Sequence, residues 1–449
     1  MLDPAGGISS SPDGSSGFPW AFLRLASISL SLLLLISSCS DEGGHTGSET
    51  PQEKIWTFML YDAADIEDAY DPMGDFASRA ESGADLNALV MQDTKDDSAR
   101  IWYIGSGHAV VPVLELGEVN TGRPETLREF LEYSKREYPA GRYILAIYGH
   151  GLGWRGACLD ESGGNDFLTM EEMASAIAAA GGVDLILFPG PCLMATLESV
   201  YELRNCSSVY VASEDLSFYC WWDHPMQDIF GMLNTDPGIG NLELGAYIIE
   251  AIREDSDRWS SYEWYGDLTM SAVRTDAVSE LAVKLDSLAL DYSGSPGRLR
   301  ECMDSTGSDL AVFYEQYVDI SDLAGGVLRF EQQDSTGSLL GSIRNCVGEA
   351  VLAECHGENR EGAGGLSVYF PFNSHSGSSP LYGGAGCGLD FTDDTAWDEL
   401  LDSYPYPPAC RDVRGYMPAR PGPPSYRPKR VGEREPIRSA AGPGAGDRR

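Results

Sequence analysis

The stretch YILAIYGHGLGW, residues 143–154, decides how this chain must fold. Its first half, Tyr143 to Tyr148, is a near-continuous apolar run, the pattern of a strand buried on both faces. The run stops at Gly149-His150-Gly151, where glycines free the backbone and one of only six histidines stands between them. Next comes TMEEMASAIAAAGG (169–182), helical by its spacing. Thr169 and Glu172 make a capping box, Met173, Ala176, Ile177 and Ala180 a buried stripe, and Gly181 a stop. VDLILF (183–188) is a second buried strand, LMATLESVYELRN (193–205) a second helix and SVYVAS (208–213) a third strand. Upstream, IWTFMLY (55–61), LNALVMQ (86–92) and ARIWYIG (99–105) read as strands. TLREFLEYSKREY (126–138) is a helix with Leu127, Phe130, Leu131 and Tyr138 on one stripe.

Strand–helix–strand–helix–strand is the signature of an α/β fold with helices on the faces of a mostly parallel sheet. Consecutive parallel strands end on one edge, where such folds hold their sites. Three strand ends gather there: Gly149-His150-Gly151, Pro189-Gly190-Pro191-Cys192 and Ser213-Glu214-Asp215. A thiol needs a base or an electropositive setting to become a good nucleophile near neutral pH. His150 can act as that acid–base partner, and Cys192, at the expected start of helix 193–205, would gain from the helix dipole. The amides of Gly151 and Cys192 can face a developing oxyanion. Such a set suits acyl transfer, most economically peptide-bond hydrolysis.

Composition sets the partners. The formal charge is −38, yet residues 411–449 carry ten Arg/Lys against four Asp/Glu. The remainder therefore holds about −44, which repels nucleic acid and anionic membrane surfaces. ASISLSLLLLI (26–36) follows Arg24 and is too short to span a bilayer comfortably. It leads into Ile36-Ser37-Ser38-Cys39 and a polar stretch. This resembles the lipobox of bacterial lipoproteins, which implies export, lipidation at Cys39 and a membrane anchor at the cell envelope. An over-extended start would account for the long region before Arg24. The alternative is a plain secretory signal with an incidental cysteine, which would make the protein secreted. The Pro/Gly/Arg-rich end from residue 406 lacks apolar periodicity and reads as a disordered basic tail. The expected organisation is a signal segment (1–39), a polar linker (40–53), one catalytic domain (54–405) and the tail (406–449). The ten cysteines show no zinc spacing; export would permit disulfides, with Cys346–Cys355 and Cys206–Cys220 as candidates.

Several segments resemble the clostripain family of cysteine peptidases, relatives of caspases, gingipains and legumains. They are IWTFMLYDAADIEDAY, YILAIYGHGLGW, RGACLDESGGNDFLTMEEMASAI, DLILFPGPCLMATLESVYEL and VYVASED, then YVDISDLA (317–324), GGLSVYFPF (364–372) and FTDDTAWDELLDSY (391–404). Together they run from about Lys54 to Tyr404. The resemblance implies a caspase-like α/β/α sandwich, His150 as general acid/base, Cys192 as nucleophile and Gly151 as second oxyanion amide. It implies polypeptide substrates and, in many members, a preference for Arg or Lys before the cut. An acid two residues before the cysteine serves that preference in the family, and this chain has Gly190 there. Glu214, Asp215 or Asp223 are the candidate substrate-binding replacements.

Members can be activated by cleavage between the catalytic pair, where this chain offers only Arg155, so a single-chain enzyme, or processing elsewhere, is expected. No cofactor is required for the chemistry. Calcium dependence occurs in the family, and the acidic run Asp62, Asp65, Glu67, Asp68, Asp71 has no EF-hand spacing. The altered motif before Cys192 leaves a second class open, a catalytically inactive surface-binding lipoprotein on the peptidase scaffold.

Overall fold

The computed structural model describes residues 53–64, 72–95, 97–307, 309–384 and 387–407. The lipobox cysteine Cys39, the linker, the acidic positions 65–71 and the tail beyond residue 407 lie outside the described residues. A sheet of nine strands carries the fold: β1 (Lys54–Ala64), β2 (Leu86–Thr94), β3 (Asp97–Ile104), β4 (Val110–Gly117), β5 (Ala140–Tyr148), β6 (Leu185–Leu187), β7 (Val209–Ala212), β8 (Thr269–Arg274) and β9 (Val351–His356). Their order is β9-β8-β7-β6-β5-β1-β2-β3-β4. The five central strands, β2-β1-β5-β6-β7, are parallel, with Phe58 opposite both Ala88 and Ile144, and Ile186 opposite Leu145 and Tyr210. The outer pairs on both sides are antiparallel.

Alternation along the central strands divides the apolar residues between two layers. Met59, Tyr61, Leu145, Ile147, Ile186, Phe188 and Tyr210 meet helices α2 (Pro124–Glu137), α3 (Met170–Ala179), α4 (Leu197–Glu202) and α7 (Val278–Ser293). Phe58, Leu60, Ile144, Ala146, Leu185, Leu187, Val209 and Val211 meet α1 (Pro72–Arg79), α5 (Asp223–Thr235) and α6 (Asn241–Trp259). Each central strand is therefore covered on both sides, as its unbroken apolar run requires. The result is an α/β/α sandwich.

The capping box forms as expected. Thr169 Oγ1 accepts the Glu172 N–H at 3.2 Å, and the Glu172 carboxylate accepts the Thr169 N–H at 3.0 Å. β3 runs antiparallel to β2 as part of an edge that includes β4, whose largely exposed residues carry no core alternation to betray it. Two expectations are corrected. The helix after Cys192 shrinks to Leu197–Glu202, capped by Thr196. The proposed disulfides are absent: Cys206, Cys220, Cys346 and Cys355 are all free. The reason is layering. Cys206 and Cys346 belong to one apolar layer, Cys220 and Cys355 to the other, so the sheet separates each pair.

Candidate active site

The ends of β5, β6 and β7 lie side by side on one edge, and their loops interlock. Leu193 N–H donates to Asp215 O (2.9 Å) and Ala195 N–H to Ser213 O (2.8 Å), so the loop after β6 is sewn to the loop after β7. On the other side, Ser367 N–H donates to Ala195 O at 3.0 Å. Leu193 adopts φ 63°, a left-handed conformation that costs a bulky residue on the order of 1–3 kcal/mol. These bonds hold it there, directly after the cysteine.

The histidine loop fits onto this turn by glycine. A β-carbon on Gly151 would stand 2.2 Å from Cys192 O and 2.5 Å from Cys192 N. The two backbones are thus in contact at Cys192, and only a residue without a side chain permits it. Gly149, at φ 141°, lies close to the end of β1, though less tightly, where a β-carbon would be 3.1 Å from Ala63 O. Below the loop, Trp154 is buried edge-on to Tyr369 and Tyr382, with ring centroids 5.8 and 5.1 Å away. Tyr317 completes this floor: its hydroxyl accepts the Trp154 N–H and fills the space a Gly153 side chain would need. Tyr382 in turn donates to the fully buried Glu198 (2.8 Å), whose carboxyl burial pushes up to about 7. His150 itself is exposed and Cys192 half-buried, so both are open to a bound chain.

The sulfur's surroundings differ from expectation. Cys192 precedes the cap Thr196 by four residues, so it does not sit at a helix start. The expected helix dipole therefore does not favour its thiolate. Cys192 Sγ instead accepts the Ser217 N–H at 3.3 Å, from the loop after β7. A hydrogen bond to the charged form of an acid favours that form. Sequence reasoning missed Ser217 because a backbone amide 25 positions away leaves no residue-type signal.

The three candidate substrate-binding acids have separate fates. Glu214 is buried, accepts the Gly365 N–H at 2.9 Å and abuts Asp319. Asp215 is buried and paired with Arg360 Nε at 2.7 Å. Burial raises its pKa while Arg360 opposes the rise. Neither is a free carboxylate on the rim, because each is turned into the protein toward an internal partner. Asp223 opens α5. Burial, with Asp75 nearby, pushes its carboxyl up to about 6, and its Oδ1 has no hydrogen-bond partner among the described residues. It acts electrostatically on Tyr219, whose ring stacks edge-on to Tyr148 at 5.2 Å. Tyr148 in turn fills the space beside Gly190. Asp62 lies two residues before the end of β1, where its Oδ2 accepts from Gln92 Nε2 at 3.3 Å. Among the described residues no group of three His, Cys, Asp or Glu is arranged to hold a metal ion.

Residues 61–404 match the model of the clostripain family. Over 305 residues the chain is 27% identical to clostripain of Hathewaya histolytica, covering 57% of this chain. It spans 58% of the length of that curated relative. Among solved structures it is similar to a secreted C11 cysteine protease from Bacteroides thetaiotaomicron, in complex with an irreversible peptide inhibitor. The TM-score is 0.58 at 17% identity, over 78% of this chain and 99% of that one. An inactive zymogen C11 protease from Parabacteroides distasonis gives 0.55 at 17% identity over 78% of this chain and 99% of its own. At such identities the likeness concerns the fold.

Proposed function

Because the chain belongs to the clostripain family, we propose that it is a cysteine endopeptidase in which Cys192 attacks and His150 moves the proton. The observation that carries this reading is the contact of Gly151 with the Cys192 peptide, which brings the two loops together at one ledge. His150 takes the Cys192 proton as the sulfur bonds to the carbonyl carbon. The amides of Cys192 and Gly151 receive the oxyanion. His150 then hands the proton to the departing amine, leaving a thioester. Water, deprotonated by His150, attacks the thioester; the acid product leaves and the thiol is restored.

Basic preference before the cut is weak in this proposal, since Glu214 and Asp215 have internal partners. What remains of it rests on Asp223. The enzyme works as one chain: Arg155 is the single basic residue between the catalytic pair and sits between buried Trp154 and Gly156. Its guanidinium lies over Phe167, 5.4 Å from the ring centroid. Export with lipidation at Cys39 follows from the N-terminal sequence alone. The binding-scaffold reading draws on Phe188-Pro189-Gly190-Pro191, where the family's acid is missing.

The deciding experiment compares wild type with Cys192→Ala on a peptide library under reducing conditions. Cleavage lost only in the variant supports the peptidase. No cleavage by either, and no thiol labelling at Cys192, moves the protein to the binding class. An N-terminus other than modified Cys39 in the mature protein's mass spectrum removes the anchor.

A further inference from the structure

We propose that Glu214 is a positioning residue for the nucleophile: its protonated carboxyl, locked to Asp319, sets the loop whose Ser217 amide holds the Cys192 sulfur. This rests on the peptidase reading and deepens it.

The geometry begins with two carboxyl groups in contact in the interior. Glu214 is 1% exposed and Asp319 0%. Glu214 Oε2 accepts the Gly365 N–H at 2.9 Å, while Oε1 has no N–H or O–H directed at it among the described residues. Asp319 caps helix α8 (Ile320–Leu328), accepting the Asp322 N–H at 2.7 Å on Oδ1 and the Gly364 N–H at 2.8 Å on Oδ2. The two side chains hydrogen-bond each other. With every amide already counted, the hydrogen between them has to be a carboxyl proton. Glu214 carries it, because two amides favour the ionised form of Asp319 whereas Glu214 receives one. Burial, then the Asp319 charge, raises the Glu214 pKa well above its ordinary value. The remaining charges nearby are Asp322, Glu354 with its His356 partner (2.9 Å), and the Asp215–Arg360–Asp267 group. The carboxylates among them resist a second negative charge on the pair.

The lock reaches the sulfur within three residues. Ser213 Oγ bonds Thr269 Oγ1 (2.8 Å), Asp215 N–H donates to Thr269 Oγ1 (3.1 Å), and Ser217 N–H reaches Cys192 Sγ. Glu214 sits between these anchors and ties the loop to the Gly364-Gly365 turn and to α8. Without it the Ser217 amide loses its fixed direction, and the thiolate its donor.

The test is the pH dependence of iodoacetamide alkylation, read on the Cys192 peptide by mass spectrometry. Glu214→Ala raises the apparent thiol pKa and slows alkylation at pH 6 by roughly tenfold, the worth of one hydrogen bond to a charged group. Glu214→Gln, whose amide can accept from Gly365 and donate to Asp319, follows the wild-type profile. A folded Ala variant that alkylates like wild type, or a Gln variant that falls with Ala, overturns the proposal. Should the Ala variant not fold, the Gln variant decides through stability. A carboxyl with a raised native pKa stabilises fully at low pH and loses that contribution as pH rises through the native value. Wild type then loses alkaline stability that Glu214→Gln keeps, and parallel curves overturn the proposal. Alkylation reads the thiol and not turnover, so loss of the peptidase reading would show separately, as absent Cys192-dependent cleavage.

Discussion

The two loops that meet at the rim are held by opposite means. The cysteine loop is sewn down by hydrogen bonds to residues from two other segments: Ser213, Asp215 and Ser217 after β7, and Ser367 far along the chain. It tolerates a left-handed leucine because so many partners fix it. The histidine loop is placed by shape. Gly149, Gly151 and Gly153 let it lie against Ala63, Cys192 and Tyr317, and Trp154 anchors it in an aromatic floor. Hydrogen bonds give direction, which a nucleophile's sulfur needs. Steric fit gives proximity, and it keeps the exposed His150 beside the cysteine loop.

That contrast can be broken at graded cost. Cys192→Ala removes the proposed nucleophile and should lower turnover by about 10⁴-fold or more with the fold intact, measured on the best library peptide. A smaller loss would mean that the rim is not the reacting centre. Gly151→Ala tests placement by shape. The added methyl meets Cys192 backbone, so the loops must part, and a loss of about 10²- to 10³-fold in kcat is expected, the value of an oxyanion donor. Near-normal kcat would show that the contact is slack.

Trp154→Ala empties the aromatic floor and should cost about 3 kcal/mol in urea unfolding. An unchanged midpoint would assign the loop's position to its glycines alone. Asp223→Asn should abolish a modest Arg/Lys preference, several-fold in kcat/KM against neutral residues. In wild type that preference is present above pH 6 and fades as pH falls below it, since Asp223 becomes neutral there. A pH-independent preference would place the selecting charge elsewhere. The smallest effect sharpens the glycine argument by contrast. Gly231 lies exposed inside α5 with open space beside it, so Gly231→Ala should add about 0.5–1 kcal/mol.

Legibility followed the same division. Leu127, Phe130 and Leu131 of the expected stripe and the box Thr169–Glu172 formed as read, because their partners lie three or four residues away, while Tyr138 falls just past the end of α2. The buried runs at 143–148 and 183–188 announced central strands, since a strand covered on both faces is apolar throughout. β4 escaped notice because an exposed edge strand has no such need. Arg360 opposite Asp215, and Asp319 opposite Glu214, escaped as well. Each pairs residues more than a hundred positions apart, and nothing in the local pattern of either partner signals the other.

By itself, then, the sequence determined the class of fold, the parallel centre of the sheet and the edge where an imidazole and a thiol would appear. Those depend on periodicity and on strand direction, which are local. Only the tertiary structure decided which amide faces the sulfur, which acids are already spoken for and which cysteines lie on opposite sides of the sheet. Such pairings arise when distant segments pack, and their energy comes from burial and direction that no single stretch encodes.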